Sequence, residues 1–131
     1  MITQDEAVQS LTLPRSLVQQ LLHQAQVAHD GVMQALLIRQ GDGSLGLRPL
    51  GTQATPGELQ RGFTARGEEL YAFCSTAPAS SGEPSATDLH RWSGALQLFF
   101  TVTLGTKGVL QLRAWKSDDT RLRALELKLH D

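Results

Sequence analysis

The chain is poor in cysteine, in charged residues and in long apolar runs, and each of these deficiencies excludes a class of protein. It has 131 residues and one cysteine, Cys74, so it can form neither an internal disulfide nor a metal cage made of cysteines. Charged residues make up 19% of the sequence and the formal net charge is -1, which excludes the basic surface of a nucleic-acid-binding protein. We therefore expect no nucleic-acid partner. The single cysteine favours reducing surroundings such as the cytoplasm.

Long apolar runs are missing as well. No stretch reaches the roughly 18 apolar residues of a membrane span, and the amino-terminal part has neither a basic start nor an apolar core. The sequence thus predicts neither a membrane interaction nor a secretion signal. At this length one hydrophobic core is sufficient, and no linker divides the chain, so residues 1–131 are expected to form a single domain.

Hydrophobic periodicity and capping residues predict three helices. Leucines and alanines recur at three-and-four spacing over 13–28, with Pro14 in the first turn, which indicates an amphipathic helix. The Thr-Pro-Gly-Glu sequence that begins at Thr55 has the spacing of a capping box and predicts a second helix. Ser85 and Asp88 have the types and spacing of a helix start and predict a short third helix.

The remaining segments have the patterns of strands. Two apolar runs, 32–38 and 45–50, flank a Gly-Asp-Gly turn and predict a hairpin, and another strand is expected over 70–74. Alternation of apolar and polar residues over 96–104, repeated twice after residue 108, predicts a meander of three strands with one face in the core. This order of elements predicts an α+β domain whose mainly antiparallel sheet is flanked by helices.

The most informative stretch is residues 71–88, Tyr-Ala-Phe-Cys-Ser-Thr-Ala-Pro-Ala-Ser-Ser-Gly-Glu-Pro-Ser-Ala-Thr-Asp. It resembles the signature of the JAMM/MPN (JAB) metalloprotease family, in which a strand ends in His-Ser-His-Pro and a loop leads to Pro-Ser-x-x-Asp at a helix start. The spacing of that signature, counted back from Asp88, matches Ala77 to the second histidine and Ser75 to the first. The resemblance implies the cytidine-deaminase-like fold of that family.

The resemblance also implies a zinc site that has lost its ligands. Family enzymes hold zinc with two histidines and an aspartate, and the metal activates a water molecule. In this chain Asp88 matches the aspartate and Ser85 matches a serine that helps to hold the oxyanion, whereas Ser75 and Ala77 replace the histidines. Alanine has no donor atom and a serine hydroxyl is a poor zinc ligand, so we expect no metal and no other cofactor.

The general base of the family is a glutamate that precedes a strand, and it has no match either. The strand is best matched from Gln34, which puts Val32 at the glutamate position, although a shift of one or two residues would bring Asp30 closer. Hydrolysis by the family mechanism is therefore not expected. The resemblance implies instead a pseudoenzyme that binds a protein, such as a ubiquitin-like or sulfur-carrier protein, an E1-like enzyme or an active MPN domain.

Three other interpretations compete with this one. Ser85 and Asp88 suit any helix start, because a serine oxygen caps a backbone N–H and a carboxylate favours the positive end of a helix. A hydrolase with a remodelled site would use Cys74, Ser75 or Ser85 with Asp88, and His90 would have to supply the base. A homodimer formed through a helix or an exposed sheet edge is a further alternative.

Overall fold

One mixed sheet of seven strands organises the part of the chain that the structure describes. The computed structural model describes residues 10–28, 33–49, 55–77, 82–104, 110–118 and 121–130. The strands are β1 (Ser10–Pro14), β2 (Gln34–Arg39), β3 (Leu45–Pro49), β4 (Glu69–Thr76), β5 (Leu98–Leu104), β6 (Leu110–Asp118) and β7 (Arg121–His130). The helices in these ranges are α1 (Arg15–Gln26), α2 (Pro56–Ala65) and α3 (Ala86–Trp92).

The strand order across the sheet is β1-β7-β6-β5-β4-β2-β3. Neighbours are antiparallel in the pairs β2–β3, β2–β4, β5–β6 and β6–β7, and parallel in the pairs β4–β5 and β1–β7. The predicted α+β class, the mainly antiparallel sheet, the hairpin and the final meander are therefore confirmed.

The sheet is covered on both faces, and the two faces carry separate cores. We call the side covered by α1 the α1 face; there Leu17 and Leu21 pack against Cys74, Phe100 and other strand residues. The opposite side, the α3 face, is covered by α2 and α3. Its core combines Phe63 and Trp92 of the helices with apolar residues of four strands: Leu36, Ile38, Leu70, Phe73, Phe99 and Trp115.

The tightest aromatic contact of the α3 face fixes α3 to the strand that precedes it. Trp92, fully buried in the last turn of α3, stacks on Phe73 of β4 with ring centroids 5.2 Å apart. Fully burying an aromatic side chain of this size stabilises a fold by about 2–3 kcal/mol. The contact holds α3 over β4, and the carboxyl end of β4 forms part of the candidate site.

The predicted start of the first helix was wrong. The helix begins at Arg15, and Pro14 is its N-cap with an extended backbone (φ -63°, ψ 138°) rather than a residue of the first turn. Residues 10–14 form β1, because Leu11 and Leu13 pair with Leu127 and Leu129 of β7. A partner strand more than a hundred residues away, which no local pattern reveals, decides the conformation of this segment.

The prediction of a strand with a single buried face was also wrong for β5. Phe100 and Val102 are buried on the α1 face, whereas Phe99 and Thr101 are buried on the α3 face. The strand lies centrally in a sheet with helices on both sides, so both of its faces are removed from water. Within β5 the polar members of the alternation, Thr101 and Thr103, are buried instead of exposed.

No helix of the described chain is both long and apolar enough to cross a membrane.

The capping box of α2 is confirmed and gives a stability test. Thr55 Oγ1 accepts a hydrogen bond from the Glu58 N–H (3.2 Å), and Glu58 Oε1 accepts one from the Thr55 N–H (2.9 Å). Thr55→Ala is expected to lower the free energy of unfolding by about 1 kcal/mol. Urea denaturation measures the change, and Thr64→Ala, at an exposed site later in the same helix, is the matched control and should be near neutral.

The effect should depend on pH. The hydrogen bonds from Thr55 hold the pKa of Glu58 below its ordinary value. A carboxyl group whose pKa is lowered by folding stabilises the fold above its unfolded pKa, and this contribution is lost as pH falls through the folded pKa. The difference between wild type and Thr55→Ala should therefore shrink in acid. A constant difference would show that the hydrogen bond from the Thr55 hydroxyl to Glu58 Oε1 contributes nothing.

Candidate functional site

The candidate site lies where the end of β4 approaches the start of α3. Ser75, the second-last paired residue of β4, has Thr101 of β5 as its register partner. One residue past the strand, the Ala77 N–H donates a hydrogen bond to the Val102 carbonyl oxygen at 3.0 Å. Residues 78–81 lie outside the described residues, and the chain is described again from Gly82.

A buried threonine fastens the segment before α3 to the sheet. Thr101 Oγ1 donates a hydrogen bond to the Gly82 carbonyl oxygen at 2.6 Å and accepts one from Trp115 Nε1 at 3.0 Å. Residues in register across neighbouring strands point to the same side of a sheet, so Thr101 and Ser75 share the α3 face. The structure thus brings Ser75 and the segment that leads to Ser85 to one region of that face.

Ser85 and Asp88 lie together at the start of α3, in the arrangement of a helix cap. Ser85 has an extended backbone (φ -70°, ψ 155°), and its Oγ accepts a hydrogen bond from the Asp88 N–H at 3.1 Å. Asp88 stands in the first turn of the helix and is half-buried. The capping interpretation is confirmed for Ser85, while the oxyanion role that the resemblance implies for it stays a prediction.

Ser75 and Ala77, the positions matched to the zinc-binding histidines, do not supply metal ligands. Ser75 is 5% exposed on the α3 face, and Ala77 is half-buried with an aliphatic side chain. Across the described ranges no group of three His, Cys, Asp or Glu side chains is placed so that it could hold a metal ion. The donor set around Asp88 therefore does not fit the zinc that the resemblance implies.

The glutamate position cannot be compared in the same way, because Val32 and Asp30 both lie outside the described residues. The chain is described from Met33, whose N–H donates a hydrogen bond to Thr76 Oγ1 at 3.2 Å and whose carbonyl oxygen accepts one from the Thr76 N–H at 3.1 Å. The start of β2 is thereby paired to the end of β4. The match of Val32 to the glutamate stays a prediction.

The positions of Cys74 and His90 weaken the remodelled hydrolase. Cys74 is fully buried on the α1 face, opposite to its neighbour Ser75, and burial raises the pKa of its thiol far above the ordinary value. His90 is exposed in the last turn of α3, and within the described structure its imidazole has no hydrogen bond to Ser75 or Ser85. A nucleophile on the wrong face and a base without a partner do not form a catalytic pair.

An open cavity of about 680 Å³ lies at the other end of β4 and is separate from the candidate site. Leu70 and Tyr71, at the start of the strand, line it together with Ser117 and the segment 93–98. Four residues of extended chain, about 13 Å, separate Tyr71 from Ser75. Among the described residues that line the cavity, Tyr71 is the only titratable one, and none of them belongs to the candidate site around Asp88.

Sequence reasoning missed the residues that fix the geometry of the site. Thr101 lies in an alternating stretch, which predicted an exposed polar face, and Gly82 lies in a segment interpreted only as a loop. The single available signal was the aromatic and polar composition around Trp115, and it does not identify a hydrogen-bond partner. Only the register between β4, β5 and β6 reveals the connection.

Comparison with known proteins identifies similar structures at low sequence identity. No family model and no curated protein matches the chain. A JAB1/MPN domain protein of Archaeoglobus fulgidus is similar in structure, with 19% identity, a TM-score of 0.62, and 92% of this chain and 100% of that one covered. A structure described as JAMM, a metalloprotease-like zinc site in the proteasome and signalosome, has 16% identity, a TM-score of 0.57, and coverage of 95% and 100%.

A third similar structure is a protein of Desulfitobacterium hafniense, with 17% identity, a TM-score of 0.65 and 92% of each chain covered. The similarity to JAB1/MPN structures extends over nearly the whole length of both partners. The fold that the resemblance predicted is confirmed.

Removing the hydroxyl of Thr101 tests the connection between the sheet and α3. Thr101→Val keeps the shape but leaves the Gly82 carbonyl and Trp115 Nε1 without their partner, which should cost about 2–4 kcal/mol. Thr101→Ser keeps the hydroxyl and loses one methyl group, which should cost about 1 kcal/mol. Denaturant titration compares the variants, and equal losses would show that the hydrogen bonds are not what stabilises this contact.

The burial of Cys74 predicts an unreactive thiol. Iodoacetamide should not modify the native protein during the time in which it fully modifies the protein unfolded in guanidinium, since alkylation needs an accessible thiolate. Mass spectrometry gives an unambiguous count because the chain has one cysteine. Rapid modification under native conditions would restore Cys74 as a candidate nucleophile.

Proposed function

We propose that this chain, which has the JAB1/MPN fold, is a cytoplasmic pseudoenzyme that works by binding another protein. The observation that supports this most directly is the composition of the end of β4, where the positions that the resemblance matches to zinc-binding histidines are Ser75 and Ala77. Without a metal the site has neither a Lewis acid nor an activated water, so the hydrolysis that such a metal would drive has no catalyst.

The segments around Ser75 and Ala77 are held in place by contacts between protein residues. Thr101 holds the Gly82 backbone, Ser85 caps α3, and Trp92 anchors that helix on Phe73. A surface that is already ordered loses little conformational entropy when a partner binds. Such a site suits recognition even where it cannot cleave.

The partners that this function requires are polypeptides. We propose a ubiquitin-like or sulfur-carrier protein, an E1-like enzyme that charges it, or another MPN domain, with a second copy of this chain as a further possibility. An extended tail can be recognised by main-chain hydrogen bonds to a strand edge, and β3 forms one border of the described sheet. These partner classes are proposed by analogy of fold. They do not rest on residues that would recognise a particular partner sequence.

Zinc content tests the lost site. Elemental analysis of the untagged wild-type protein should find no stoichiometric zinc, and calorimetric titration with zinc should give no tight binding. The double variant Ser75→His with Ala77→His is expected to bind one zinc ion, because residues two apart at a strand end project to one side and both would approach Asp88.

Two controls make the result interpretable. Adding Asp88→Asn to the double variant should weaken zinc binding, since the carboxylate would be the third ligand. Tight stoichiometric zinc in the wild type would contradict the proposal and return a metal-dependent hydrolase to first place. Failure of the folded double variant to bind zinc would show that these residues do not occupy the ligand positions.

Binding is measured separately. Calorimetry against a representative of each partner class should give an affinity that a chelator does not alter, because no metal takes part. No binding to any of them, together with a monomer by light scattering, would overturn the proposed function even if the zinc site is absent.

A further inference from the structure

Arg113 of β6 lies beside the candidate site, with its side chain next to Gly82. It is the register partner of Thr101, so its side chain lies on the α3 face with Ser75 and Thr101. A Cβ built on Gly82 would stand 3.0 Å from Arg113 Nη1 and 3.4 Å from its Cδ, so the guanidinium lies directly over the Gly82 backbone. The positive φ of Gly82, +67°, also favours glycine at this point.

The charge of Arg113 is not neutralised by the described part of the protein. Within those ranges no hydrogen bond or ion pair joins Arg113 to another residue, and its side chain is exposed. Other arginines of the chain do have carboxylate partners: Arg39 with Glu69 at 3.6 Å, Arg48 with Glu68 at 3.1 Å and Arg66 with Glu68 at 3.3 Å.

Acidic residues also occur on the segments that meet in this region. Glu83 follows Gly82 in sequence, and Asp88 stands in the first turn of α3. Glu126 shares the α3 face on β7, two residues from Ala124, which is paired with Trp115. Among the described residues no ion pair joins Arg113 to Asp88 or to Glu126.

We propose that Arg113 binds a carboxylate of the partner polypeptide at the candidate site. The inference rests on the proposed function, because it assumes that a polypeptide enters beside the end of β4. A guanidinium presents two parallel N–H donors that match the two oxygens of a carboxylate. Its register partner Thr101 and, one strand further, Ser75 are uncharged, so Arg113 supplies the one charge among these three paired residues.

The carboxylate has two possible sources, the carboxyl terminus of the partner or the side chain of an aspartate or glutamate. Both present the same two oxygens to Arg113. A single positive charge is enough for one carboxylate, whereas a phosphate group is usually held by several cations and backbone donors. The structure therefore assigns a carboxylate as the ligand and leaves its source to the experiment.

NMR titration with three acetylated alanine peptides tests the proposal on the intact protein. The first has a free carboxyl terminus, the second is amidated, and the third is amidated but contains one glutamate. Saturable shifts of the Gly82 amide and Arg113 Nε–H signals are expected with the first peptide, the third or both, and not with the second. The peptide that binds identifies the source, and added salt should weaken it.

Variants assign the effect to the guanidinium. Arg113→Gln should weaken carboxylate binding by about tenfold or more, since hydrogen bonds to a charged group are lost. Arg113→Lys, which keeps the charge but not the two parallel donors, should lie between it and wild type. Arg61→Gln, at an exposed position of α2, is the matched control and should bind as wild type does.

The outcomes separate this inference from the proposed function. Equal binding of the neutral amidated peptide, unchanged binding by a folded Arg113→Gln variant, or no shift at Gly82 and Arg113 with any peptide would overturn the carboxylate site. Calorimetric binding of a protein partner would still support the proposed function in each case. Peptide binding without any protein partner would instead retain the carboxylate site and remove the proposed function.

Discussion

The geometry of the candidate site depends on the hydroxyl of Thr101. This group is fully buried, so it must form hydrogen bonds inside the protein, and it uses one to hold the Gly82 backbone and another to satisfy Trp115. One oxygen thereby connects β5, β6 and the segment before α3. The contact between Arg113 and Gly82 is a consequence, because the guanidinium can lie over that backbone only while Thr101 keeps it in place.

The alternation of β4 separates two chemistries that are adjacent in sequence. Cys74 belongs to the core beneath α1, and Ser75 faces the side where α3 begins. Because consecutive residues of a strand point to opposite faces, only one of the two can take part in a site near Asp88. The sequence Cys-Ser at the end of a strand is compatible with a nucleophile, and the sheet shows that the thiol serves packing instead.

Local signals were enough for part of this structure and not for the rest. The capping box at Thr55 and the cap formed by Ser85 were predictable, because a few consecutive residues determine them. The strand that contains Leu13 was missed because its partner lies in β7, and the burial of Thr101 was missed because helices cover β5 on both sides. At the candidate site, the resemblance pointed to Ser75, Ala77, Ser85 and Asp88, but the hydrogen bonds of Thr101 that hold the segment before α3 depend on strand register.

The hydrogen bonds of Thr101 and Ser85 also explain how the segments of the candidate site can be ordered without a metal. In a structural zinc site the metal holds the ligand segments together, and removing it unfolds them. Here the segment before α3 is held by Thr101, and the helix start is satisfied by Ser85, so neither depends on bonds to an ion. The order of this site is therefore compatible with a lack of zinc ligands. Arg113 provides a cation bonded to the chain itself, and it can attract a carboxylate without activating a water to attack it.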